Sequence, residues 1–106
     1  MATIDKKDQT IHFGEAFLKS EKKLLEDLRN SKDFNKLMND FSNYPIETII
    51  AGIQTLLEEL KKSVVEHNAG NIGEDQIKLI KKELLLLFSV LKDMEIIKEQ
   101  GTKPEV

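Results

Sequence analysis

The chain has 106 residues, 33% of them charged and 6% aromatic, with 19 acids against 16 bases and a formal charge of −3. That length supports one domain with a modest core. The lack of cysteine excludes a disulfide scaffold and a thiolate metal site, and the acidic balance argues against non-specific nucleic-acid binding, which runs on excess positive charge.

Residues 1–9 are polar apart from Ile4 and are expected to be flexible. They contain no apolar run of the kind a signal peptide needs. No stretch of the chain approaches the ~20 apolar residues that span a bilayer. A soluble, cytoplasmic protein is expected.

A first helix is expected over 10–29. Phe13, Phe17, Leu24 and Leu28 follow helical spacing, with Leu18 and Leu25 widening the stripe. Thr10 is placed to cap it. Asn30-Ser31-Lys32-Asp33 interrupts the pattern, and Ser31 can cap a short helix over 32–42. Phe34, Leu37, Met38 and Phe41 share one face of that helix. Whether these two segments form one kinked helix is left open by the spacing.

Tyr44-Pro45 is the strongest boundary, because proline disfavours helix in the residue before it and suits the first turn after it. The next helix is expected over 45–67, with a stripe of Ile46, Ile49, Ile50, Ile53, Leu56, Leu57, Leu60 and Val64. Gly52 inside it costs about 1 kcal/mol relative to alanine, which fits either a close helix crossing beside Ala51-Gly52 or tolerated drift. Asn68-Ala69-Gly70-Asn71-Ile72-Gly73 makes a loop, since Asn and Gly accept the left-handed conformation at helix ends.

The last helix is expected over 74–99. Ile77, Ile80, Leu84, Leu87, Leu91 and Met94 repeat at alternating steps of three and four, a heptad seam. Within it stand five consecutive apolar residues, Leu84-Leu85-Leu86-Leu87-Phe88. Successive helix residues turn by about 100°, so such a run faces every side. It needs burial either in a central position or against a partner. The expected architecture is all-α: a small antiparallel four-helix bundle, one helix short, with a long apolar C-terminal helix. A single domain over 10–99 would precede a flexible tail at 100–106.

No catalytic constellation is evident. There is no Gly-x-Ser-x-Gly elbow, and Gly70-Asn71-Ile72-Gly73 lacks the Lys-Ser/Thr of a phosphate loop. His12 and Glu15 have the i,i+3 spacing of half a di-metal motif, but His67 has Val64 where its acid would stand. No enzyme activity, metal or cofactor is expected. Lysine pairs recur at Lys22-Lys23, Lys61-Lys62 and Lys81-Lys82 and could meet a phosphate backbone if aligned. Acids flank each pair and Arg29 is the single arginine, so solvated helix faces are the plainer reading.

Asn43-Tyr44-Pro45 opens the Ile/Leu-rich helix Ile49-Ile50-Ala51-Gly52-Ile53-Gln54-Thr55-Leu56-Leu57, followed by a loop and a final amphipathic helix. Over about 30–95 this resembles the pediocin-like bacteriocin immunity proteins. The resemblance implies a small cytoplasmic four-helix bundle without disulfides. It also implies a non-enzymatic role in protecting a producing cell, through a membrane receptor complex met from the cytoplasmic side; direct membrane insertion of this chain is not expected.

The expected function is a non-enzymatic protein-interaction module that meets a partner or a second copy through the last helix. Leu85, Phe88, Leu86 and Val90 lie off the seam and are the expected contact residues. The alternative is a small helical subunit of a nucleoprotein complex, using the lysine pairs.

Overall fold

The structure, a computed structural model, describes residues 6–97. They form five helices: α1 (Lys6–Ser20), α2 (Lys22–Arg29), α3 (Phe34–Ser42), α4 (Ile46–Asn68) and α5 (Glu74–Asp93). No strand occurs among the described residues. No described helix is long and apolar enough to cross a membrane. The expected tail at 100–106 lies outside the described residues. Of the expected flexible start, residues 6–9 are already helical.

The expected helix 10–29 is two helices meeting at Glu21, whose backbone sits at φ −105°, ψ 38°. The ladder continues through the joint: the Glu21 amide donates to the Phe17 carbonyl and the Leu25 amide to the Glu21 carbonyl, both at 2.9 Å. This is a kink with an identifiable cause. The Ser20 hydroxyl donates back to the Phe17 carbonyl at 3.3 Å, and such back-bonding bends helices. Lys81 of α5 then holds Glu21 in an ion pair of 3.2 Å. By contrast, 30–33 forms a turn that separates α2 from α3.

Neither expected cap is used. Thr10 lies inside α1 and is buried. Asp33 occupies the cap position of α3 without a side-chain bond, while the Ser31 carbonyl, not its hydroxyl, accepts from the Phe34 amide at 3.3 Å. At the Tyr44-Pro45 boundary, Pro45 is extended and α4 begins at the next residue.

Two helices end in the same way with different residues. After α4, Gly70 takes φ 84°, its amide donates to the His67 carbonyl, and the Asn71 amide donates to the Glu66 carbonyl, each at 2.9 Å. That is a Schellman motif. Asn71 Nδ2 also donates to Glu66 Oε1 at 2.7 Å, and His67 Nδ1 to the Ile72 carbonyl at 3.0 Å, so side chains brace the loop.

After α5 the Glu95 amide donates to the Lys92 carbonyl and the Ile96 amide to the Leu91 carbonyl, each at 2.9 Å. Here the left-handed position is filled by Glu95, at φ 64°. The last helix therefore stops at Asp93 and not at 99. The turn swings Ile97 back into the core, where it is 1% exposed. A side chain is strained at Glu95 in a way glycine is not. Glu95→Gly should stabilise the protein by roughly 0.5–1 kcal/mol, read as a higher urea midpoint at unchanged slope. A lower midpoint would mean that the turn is not left-handed.

The physical centre of the fold is α5, which packs against each of the other four helices. Its most extensive contact is with α4, through the short loop between them. The first half of α5 keeps one buried stripe, Ile77, Ile80 and Leu84, while Leu79 is exposed. From Leu84 to Leu91 every residue is buried. The change marks where α5 passes from a two-helix hairpin into a surround of helices.

The glycine that allows close approach is Gly14, not Gly52. A Cβ at Gly52 would meet only Leu87 Cδ1, at an ordinary 3.7 Å. A Cβ at Gly14 would lie 2.6 Å from Phe88 Cδ1 and 2.8 Å from Ile97 Cδ1.

Candidate functional site

The four expected contact residues are inside the chain's own core. Leu85, Phe88 and Val90 are 0% exposed and Leu86 is 8% exposed. Phe88 stands in a ring cluster, with centroids 5.8 Å from Phe17 and 6.0 Å from Phe13. The expectation of an exposed patch on the last helix is corrected by this packing. Helices on several sides of α5 satisfy the apolar run that one face could not.

One polar group is enclosed with them. The Ser89 hydroxyl has no hydrogen-bond partner among the described residues. A buried hydroxyl without a partner costs free energy that a methyl does not. Ser89→Ala should raise stability by about 1 kcal/mol, checked by thermal unfolding. A fall in melting temperature would reveal a bond to the hydroxyl.

An open apolar surface lies elsewhere. Between α1 and one face of α4 runs an open cleft of about 1100 Å³. Its apolar lining is Phe13 from α1 with Leu57, Leu60, Val64 and Val65 from α4. Phe13 and Val64 are each 40% exposed and Val65 is 64% exposed. Phe13 is held by stacking on Phe17 at 5.4 Å, which keeps its ring between the core and the cleft. Polar groups rim the same surface. Gln54 Nε2 donates to Thr10 Oγ1 at 3.3 Å across the two helices, and Glu58 and Lys61 lie further along α4.

This surface was hidden in the helical spacing because Phe13 and Val64 fit the core stripes. The available signal was Val64-Val65. Adjacent residues are about 100° apart on a helix, so a two-helix hairpin cannot bury both.

The other candidate residues are dispersed by role. Lys81 is engaged with Glu21. Lys61 lines the cleft beside Glu58. Lys22 and Lys23 open α2 and are exposed, as are Lys62 and Lys82. His12 Nδ1 lies 3.7 Å from Glu15, and no group of three or more metal-binding side chains occurs among the described residues.

No protein-family model matches the chain, and no curated protein or solved structure matches it significantly.

Proposed function

We propose that the chain is a non-enzymatic helical protein-interaction module whose contact face is the cleft between α1 and α4. The supporting observation is the cleft itself: a half-exposed aromatic ring and two exposed valines stand together, rimmed by Gln54, Glu58 and Lys61. Apolar centres with polar rims are the usual build of protein contact surfaces. Helical partners commonly bind such grooves through residues spaced three and four apart.

The test is site-specific photo-crosslinking in cells that make the protein. A photoreactive residue replacing Val65 should give one defined adduct, weakened by Phe13→Asp. The same residue replacing the exposed Asp27 on α2 should give none. Equal adducts at both positions, or none at Val65, would remove the reading.

The likeness of Asn43-Tyr44-Pro45 and the helix after it to bacteriocin immunity proteins suggests a narrower form of this function, in which the module acts on the cytoplasmic side of a membrane receptor complex. Expression in a strain sensitive to pediocin-like bacteriocins should then protect it. Unchanged sensitivity across a panel would discard the narrower form and leave the module.

A further inference from the structure

We propose that the cleft is occupied by a second copy of the chain, with the two α4 helices lying antiparallel. This rests on the cleft being a contact face. The carrying observation is the order of charge along α4. Glu58-Glu59 precede Leu60 and Lys61-Lys62 follow it, and all four charged residues are exposed. Reversing the direction of α4 about Leu60 exchanges Glu58-Glu59 for Lys61-Lys62. An antiparallel pair centred on Leu60 therefore sets Glu58-Glu59 of each helix beside Lys61-Lys62 of the other, with Glu58 and Lys61 on the cleft itself. A parallel pair sets like against like. A two-fold contact uses the same patch twice and so requires a patch that complements itself.

Apolar surface lies beside this charge pattern. Phe13, Val64 and Val65 are exposed next to Glu58 and Lys61. In the pair these side chains leave water, while the charges set direction and register. The face from Ala51 to Val65 is about 21 Å long at 1.5 Å per residue, four turns of helix. A similar charge order exists in α2, where Lys22-Lys23 precede Glu26-Asp27. There the intervening leucines turn inward, with Leu25 buried, so α2 has no matching apolar surface to cover.

Sedimentation equilibrium of the full chain at low salt should show a monomer–dimer equilibrium that weakens as salt rises. Glu58→Lys with Glu59→Lys makes the centre of α4 wholly basic. Lys61→Glu with Lys62→Glu makes it wholly acidic. Each variant alone should be monomeric, with unchanged helical circular dichroism because the sites are exposed. Their equimolar mixture should recover a dimer at least ~10-fold tighter than either variant alone, a difference of ~1.4 kcal/mol. If either double variant unfolds, the Glu58→Lys and Lys61→Glu single variants serve in the same mixing test.

A wild-type monomer across the concentration range would overturn the proposal. So would charge variants that each self-associate as tightly as the wild type. The Val65 crosslink separates this proposal from the reading beneath it. An adduct of two identical chains supports the pairing. An adduct with a different protein overturns the pairing and keeps the interaction module, and no adduct removes both.

Discussion

Phe88→Ala should lower stability by about 3–5 kcal/mol, the usual cost of emptying a fully buried aromatic position. The site has little capacity to collapse. Phe17 and Phe13 hold two sides of the ring, and the backbone of Gly14 closes against it. A protein of this size has roughly 5–15 kcal/mol of total stability, so the variant should be folded but marginal. Urea unfolding measures the loss. The stronger version, Leu85→Glu with Phe88→Glu, should abolish the cooperative transition, because two carboxylates would be buried without partners. Val65→Glu on the open cleft should shift stability by less than ~0.5 kcal/mol. A folded Leu85→Glu, Phe88→Glu protein would place α5 at the surface and reverse this account of the core.

The second large effect falls on the smallest side chain. Gly14→Ala should destabilise by about 1–2 kcal/mol, although alanine favours a helix interior by about 1 kcal/mol. The added methyl would lie 2.6 and 2.7 Å from two ring carbons of Phe88 and 2.8 Å from Ile97. The ring is fully buried and packed against Phe13 and Phe17, so making room for the methyl disturbs either that ring cluster or the approach of α1 to α5. Gly52→Ala should do the opposite and stabilise by roughly 0.5–1 kcal/mol, as the helix gains without a clash. The sign difference between two glycine-to-alanine changes is the test, and it cancels errors common to both. In a Phe88→Ala background both ring contacts disappear, and the remaining one, with the terminal methyl of Ile97, can relax into the space the ring leaves. Gly14→Ala should then cost nothing or gain up to ~1 kcal/mol. Additive losses instead would show that Gly14 matters for a reason other than Phe88.

Much of the secondary structure was legible along the chain. The boundaries of α4 are marked by Pro45, which fixes its own φ, and by Gly70, which accepts φ 84°. Of the expected seam, Ile77, Ile80, Leu84, Leu87 and Leu91 lie in the core because their spacing keeps one stripe on one side of a helix, whereas Met94 falls just past the end of α5 and is only partly buried. These features are local. They depend on residues within one or two turns, so sequence by itself determines them.

The end of α5 was not legible, because Glu95 gives no warning of a left-handed backbone. That turn is held by the burial of Ile97 against α1, a contact between residues more than eighty positions apart. At the joint between α1 and α2, the pairing of Glu21 with Lys81 from another helix was equally beyond the local pattern.

The candidate site divides along the same line. Sequence by itself determined that the run Leu84-Leu85-Leu86-Leu87-Phe88 must be covered on several sides. It could not say by what. A periodic pattern records how many faces of a helix are apolar, whereas the identity of the covering groups depends on how many helices surround it. The tertiary structure decided that, by packing α5 against all four of its neighbours. With the second half of α5 enclosed, Phe13, Val64 and Val65 were left as apolar surface on α1 and α4, because α1 covers only part of a helix longer than itself.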